Sequence, residues 1–325
     1  MNFKKLSIRT LVLLLAISLF TAACAPQATA TLAIQATPTP IPATPTTAPI
    51  ALTDGLNREV TLAAPAQRIV SLAPNLSEIL FAIGAGAQVV GRDEFSDYPS
   101  EVKSLPSVGG SMGKYDTEAV VNLKPDLVLA ASINTPELVQ SLEKLGLTVY
   151  MLPNPTTMGE MYQNLDTVAK LTGHEAEAAN LIDSLKRRVA AVDSKIAAVK
   201  ERPLVYYELD ATDPNAPYTA GPGSFVDQLI QEAGGQNVGS ILKDQWAQIS
   251  VEQLIVKNPD IIMLGDAAYG VSVDQLKQRA GWSAIKAVQD GKIYTFDDNT
   301  VSRPGPRLVD GLETMAKLIH PELFK

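Results

Sequence analysis

The chain is poor in the residues that build metal centres and disulfides. Its 325 residues include one cysteine, Cys24, and two histidines, His174 and His320. A lone thiol closes no internal disulfide, so the fold has to rest on its core. Capture of a bare zinc or manganese ion needs several imidazoles and carboxylates converging. Two histidines far apart in the chain, both expected at the surface, do not supply them. Positive charge is scarce as well: 27 Lys+Arg stand against 35 Asp+Glu, a net charge of −8, with pI near 4.9. Nucleic acid is therefore not an expected partner, because neutralising phosphates takes clustered cations. Of the common catalytic signatures, there is no phosphate-binding loop and no His-Glu-x-x-His. The glycine-rich Gly221-Pro222-Gly223-Ser224 lacks the lysine of a phosphate loop and reads as a cleft loop. Asp297 and Asp298 could serve acid–base chemistry, but no partner for them is visible in the sequence.

What is present is an exported α/β protein. Hydrophobic residues make up 46% of the chain and mean hydropathy is +0.07, which suits a chain with room for two domains of roughly 100–200 residues each. Lys4, Lys5 and Arg9 precede an apolar run from Leu11 to Phe20 and then Thr21-Ala22-Ala23-Cys24. A cationic head, a short apolar core and small residues before the cut form a secretory signal, too short to read as a membrane span. The cysteine sits where cleavage would leave it as the new N-terminus. Without residues 1–23 the chain has 24 Lys+Arg against 35 Asp+Glu, a net of −11. Residues 24–51 are rich in Ala, Thr and Pro and read as an extended tether.

From residue 52 strands and helices alternate. Arg68–Leu72, Val89–Gly91, Asp126–Ala130 and Thr148–Leu152 read as strands, with helices over Leu76–Ile83, Glu118–Leu123 and Pro136–Leu145 between them. Asn75 and Glu78 have the spacing of a capping box for the first of these helices. The alternation predicts a parallel sheet over residues 52–157. Residues 158–200 read as a linking helix. Glu175–Lys200 lacks proline and glycine and repeats apolar residues at three- and four-residue steps, a rod of about 39 Å. Residues 201–325 form a second α/β run.

Two stretches repeat. Asp116-Thr117-Glu118 leads through a short helix to Lys124-Pro125-Asp126 and a strand; Ser250-Val251-Glu252 leads likewise to Asn258-Pro259-Asp260. The repeat predicts two similar lobes on either side of the long helix. Glu118 and Glu252 each sit in a helical first turn, where a carboxylate meets the positive end of the macrodipole. Their twin placement makes them one exposed acid per lobe, a two-point docking surface.

These features, with Arg68-Ile69-Val70-Ser71-Leu72-Ala73-Pro74-Asn75, Ser96-Asp97-Tyr98-Pro99 and Arg303-Pro304-Gly305-Pro306-Arg307, resemble the substrate-binding proteins of metal-chelate ABC importers. That family handles cobalamin, ferric siderophores and haem. The resemblance implies two Rossmann-like α/β lobes joined by a rigid helical backbone, with a chelate as ligand, no catalytic cofactor and little hinge motion. It implies a monomer held by a lipid on Cys24 at the outer face of the cytoplasmic membrane, docking on the permease through Glu118 and Glu252. Tyr98, Tyr218, Trp246 and Arg303 match the family's ligand-facing positions. The first lobe departs from the cobalamin binders: Gly109-Gly110-Ser111 and Ala131-Ser132 stand where those carry tryptophans. It departs from the haem binders too, since Tyr115 is out of register with their axial tyrosine near Gly110. An open first lobe together with Arg303 suits a bulky or anionic chelate. Corrinoid and ferric siderophore stand ahead of haem, and a lipid-anchored enzyme or interaction module is the alternative of a different class.

Overall fold

The computed structural model describes residues 49–325. The signal sequence, Cys24 and most of the Ala/Thr/Pro tether lie outside the described residues. The elements run in the order β1 (Ile50–Thr53), β2 (Glu59–Leu62), β3 (Ile69–Ser71), α1 (Pro74–Ala82), β4 (Val89–Arg92), α2 (Thr117–Asn122), β5 (Leu127–Ala131), α3 (Pro136–Lys144) and β6 (Val149–Leu152). Two long helices follow, α4 (Met158–Thr172) and α5 (Glu175–Ile196). Then come β7 (Leu204–Asp210), β8 (Tyr218–Ala220), α6 (Phe225–Glu232), β9 (Gln236–Asn237), β10 (Trp246–Gln248), α7 (Val251–Lys257) and β11 (Ile261–Leu264). The chain closes with α8 (Val273–Lys277), α9 (Lys286–Gln289), β12 (Ile293–Thr295), α10 (Asn299–Ser302) and α11 (Leu308–Ile319).

Two sheets carry the lobes. The first has the order β4-β3-β5-β6, parallel throughout. The second runs β10-β8-β7-β11-β12, with β9 also on β7; β7, β9, β11 and β12 are parallel, and β8 and β10 form an antiparallel edge. A β1–β2 hairpin precedes them, opening at Ile50, inside the stretch expected to be tether.

Period-two alternation explains how the lobes are held together. In β3 and β5, Ile69, Leu127 and Leu129 face one core, while Val70 and Val128 face another. In β7 and β11, Val205, Tyr207, Ile261 and Met263 join that same first core, while Tyr206, Ile262 and Leu264 form a third. The first core also takes in Leu165 of α4, Leu185 and Val192 of α5, and Leu312 and Met315 of α11. Each sheet thus keeps one face for its own lobe and lends the other to a core running through both lobes and the linking helices. A shared, close-packed core resists hinge bending.

The link is two helices rather than one. Gly173 adopts a left-handed φ of 78° and ends α4; α5 then runs 22 residues, about 33 Å at 1.5 Å per residue, and stops at Ile196. On α5, Arg188 grips α11 through Asp310 (2.5 Å) and Glu313 (2.9 Å).

The sequence repeat is a structural repeat. Lys124 and Asn258, the residues before Pro125 and Pro259, have φ of 47° and 51°, a region few side chains enter. Asp126 then accepts from the amides of Gln67 and Arg68 at the start of β3 (2.8 and 2.9 Å), and Asp260 accepts from Leu204 at the start of β7 (2.9 Å). In each lobe one aspartate after a helix locks the entry of the neighbouring strand.

Candidate functional site

The C-terminal ends of parallel strands leave their loops free, and here those loops carry several of the exposed apolar side chains. Phe95, Tyr98 and Ile133 lie beyond β4 and β5, and Tyr269 lies beyond β11. Tyr98, Tyr218 and Trp246 are 48%, 43% and 44% exposed, whereas Trp282 is fully buried as a core tryptophan should be. Large apolar surface held open at strand ends is a binding feature.

Three hollows surround these aromatics. One, of about 210 Å³, lies between Asn154-Pro155-Thr156 after β6 and Ser224, Trp246 and Ser302 of the second lobe, so it is an interlobe groove. A larger cavity, about 700 Å³, is lined by Asp210, Tyr218, Asp266, Tyr269 and Asp298 at the strand ends of the second lobe. The third, about 520 Å³, runs along Glu78, Phe81, Tyr98 and Glu101.

The loop carrying Tyr98 rests on a buried polar network. The Ser77 hydroxyl donates to Ser71 (2.9 Å) and lies 2.8 Å from that of Ser96, and Ser96 in turn donates to Asp93. Asp93 also accepts the Phe95 amide (2.9 Å). Burial pushes its carboxyl above the ordinary aspartate range, against the opposing pull of Ser96, the Phe95 amide and the Arg303 charge.

Arg303 and Arg307 reach across from the second lobe. Arg303 donates to Asp97 (2.6 Å) and Glu78 (3.2 Å), and Arg307 donates to Glu78 through Nε (2.8 Å) and Nη2 (2.5 Å). The Arg307 guanidinium also lies 4.2 Å from the Tyr98 ring centroid, a cation–π contact. Glu78 is 3% exposed. It is not a capping residue: α1 starts at Pro74 behind Ala73 with no side-chain cap, because Pro at the first position presets φ and gives up its own N–H. Arg303, expected to offer charge to an anionic chelate, already spends that charge on two carboxylates of the opposite lobe.

Tyr115 and His320 are taken up by the structure. The Tyr115 hydroxyl donates to the Leu72 carbonyl (2.9 Å) and accepts from Asn134 (2.8 Å). His320, expected at the surface, is the C-cap residue of α11 and is buried beside the Gly234 carbonyl (3.1 Å). Among the described residues no cluster of three or more metal-ligating side chains occurs. Gly221 owes its place to packing, since a Cβ there would collide with the Asp244 carbonyl oxygen. Asp297 and Asp298 do have partners: Asp298 accepts the Tyr207 hydroxyl (2.5 Å) and Asp297 lies 3.9 Å from Arg307.

Glu118 and Glu252 occupy equivalent first turns. Asp116 caps α2 by accepting the Ala119 amide, and Ser250 with Gln253 forms a capping box on α7. Both glutamates are exposed. The backbone amide and the Ser250 hydroxyl hold the Glu252 carboxyl below the ordinary glutamate range. Each helix runs back into a parallel strand, so its first turn stands at that strand's finishing end. On the first lobe the Tyr115 bond to Leu72 ties this turn to the end of β3.

Comparison with known proteins agrees with this architecture. Residues 69–300 match the family model described as periplasmic binding protein. The chain is 32% identical over 284 residues to an uncharacterized ABC transporter substrate-binding lipoprotein, YvrC, of Bacillus subtilis, covering 85% of this chain and 87% of the relative. It is 29% identical to a cobalamin-binding protein of Halobacterium salinarum, covering 84% and 74%. Among solved structures, the apo periplasmic haem-binding protein RhuT of a Roseiflexus species superposes with a TM-score of 0.71 at 26% identity, over 79% of this chain and 99% of that one.

The class is a two-lobed solute-binding protein of the helical-backbone type, not an enzyme. The chain belongs to the periplasmic binding protein family.

Proposed function

We propose that the protein is an extracytoplasmic receptor that holds a metal chelate between its lobes and presents it to the permease of an ABC importer. The observation that carries this reading is the set of half-exposed aromatics, Tyr98 from the first lobe and Tyr218 and Trp246 from the second, held open around hollows at the strand ends. Rigid aromatic faces suit a flat or greasy chelate because they give contact area at small entropic cost. Relatives named as cobalamin-binding, and as an ABC transporter substrate-binding lipoprotein, support the same reading. Corrinoid and ferric siderophore are the favoured ligands; haem stands behind them because Tyr115 is committed to Leu72 and Asn134.

In this reading the domain plan is a signal over 1–23, a tether from 24 to the start of β1 at Ile50, a first lobe from there to 157, a second over 201–325, and a helical link between. Cys24 carries the lipid, the chain acts as a monomer at the outer face of the cytoplasmic membrane, and Glu118 and Glu252 meet cationic side chains of the permease. Arg303 shapes the cleft from its ion pairs with Glu78 and Asp97. The test is equilibrium dialysis of the purified chain against cyanocobalamin, ferric hydroxamates and haem, read by visible absorption. Retention of one of these classes is expected; retention of none would overturn the proposal.

A further inference from the structure

An aspartate that lines the large cavity of the second lobe has one carboxylate oxygen that no other residue partners. Asp266 stands just beyond β11, is 3% exposed and lines the cavity. Its Oδ2 accepts the Ala211 amide (3.1 Å), but its Oδ1 is buried without any hydrogen bond. A buried acceptor left unmade is costly, and such an exception calls for an explanation. The other acids of the lining are engaged: Asp210 accepts from Thr212 and Asp298 from Tyr207. No lysine or arginine lines the cavity.

Resting on the receptor reading above, we infer that Asp266 anchors a subsite for the hydrogen-bond-donating edge of the ligand. The chelate is then uncharged or cationic and fringed with N–H or O–H groups, such as primary amides, rather than carboxylates. Three aspartates and no cation would repel an anionic edge, and the nearby cations are already neutralised. Arg303 and Arg307 are spent on Glu78 and Asp97, and Arg279 is held by Glu208 at 2.6 and 2.9 Å. The groups around Asp266 are Glu208, Tyr206 and Tyr207 of β7, Asp298 before α10, and Arg279 after α8. Burial first, and then the Glu208 charge, push its carboxyl up to about 7. A donor on the ligand favours the ionised form, so affinity for such a ligand rises as pH passes upward through this value.

The test is titration of the chain and of Asp266→Asn with cyanocobalamin, an uncharged amide-fringed chelate, and with haem, which carries two carboxylates. In the variant the Ala211 amide fixes the side-chain carbonyl, so the NH₂ group takes the place of the free oxygen and faces the ligand's donor. Wild type should bind cyanocobalamin more tightly at about pH 8 than at about pH 6, and Asp266→Asn should bind roughly tenfold more weakly with a flattened profile. A flat wild-type profile, or a variant that binds like wild type, overturns the subsite but not the receptor. So does binding of haem without cyanocobalamin. Binding of neither these nor ferric hydroxamates overturns both. The wild-type profile decides the matter even if the variant does not fold.

Discussion

Arg307, in the last lobe, closes a two-point hydrogen bond on Glu78 of the first, through Nε at 2.8 Å and Nη2 at 2.5 Å. Arg303 adds a third at 3.2 Å, and the carboxylate between them is 3% exposed. Removing one member of a buried ion pair strands the others. Glu78→Ala is therefore expected to destabilise the protein by about 3–5 kcal/mol, measured by urea denaturation. A loss within experimental error of zero would show that the interlobe pairs contribute nothing to holding the lobes in register.

Charge reversal at the two twin glutamates should separate binding from delivery. Glu118→Lys and Glu252→Lys are expected to leave chelate affinity at the wild-type level while uptake by cells carrying the importer falls. Both side chains are exposed in first helical turns, away from any core. Wild-type uptake by the double variant would remove the docking assignment.

The half-exposed rings should matter to ligand more than to fold. Tyr98→Ala and Tyr218→Ala are each expected to weaken chelate binding by roughly three- to tenfold, with Phe at either position restoring most of it. A thermal melt close to wild type accompanies this if the rings are cleft residues. A large drop in melting temperature with unchanged affinity would instead return them to the core.

One acid makes stability depend on pH. Glu232, at the end of α6, has its carboxyl raised from 4.5 to about 7 by burial and then by the Asp193 charge on α5. The folded form keeps this proton to higher pH than the unfolded chain does. The contribution is therefore complete below about pH 4.5, falls as pH rises towards about 7 and stays lost above it. Glu232→Gln should leave stability unchanged at about pH 4 and raise it by about 1–2 kcal/mol at about pH 8. Equal effects at both pH values would contradict the assignment.

Much of the fold was legible because continuous, mostly apolar runs make buried parallel strands. Ile69–Ser71, Leu127–Ala131 and Ile261–Leu264 are such runs, and the Pro-Asp entries at Pro125 and Pro259 announced the twin lobes. The β1–β2 hairpin and the edge strands at Tyr218–Ala220 and Trp246–Gln248 escaped, being short and half polar. Gly173 was visible as a break, but that it divides the link into two helices depends on its left-handed conformation. Within the site, the aromatics could be named from the sequence. Glu78 could not be placed, because Asn75 three residues earlier suggests a local role while its partners lie 225 and 229 residues on. Asp266 likewise looks like any acid after a strand; only the packed structure shows that one of its oxygens is left without a donor.

The most direct test of the central claim uses the two tryptophans, one half-exposed in the cleft and one fully buried. The chain is titrated with its chelate while tryptophan emission is followed, in wild type and in Trp246→Phe. Binding between the lobes predicts saturable quenching at one chelate per chain in wild type, most of it lost in Trp246→Phe although that variant still binds. Quenching of equal depth in both proteins, or saturation at a different stoichiometry, would contradict it.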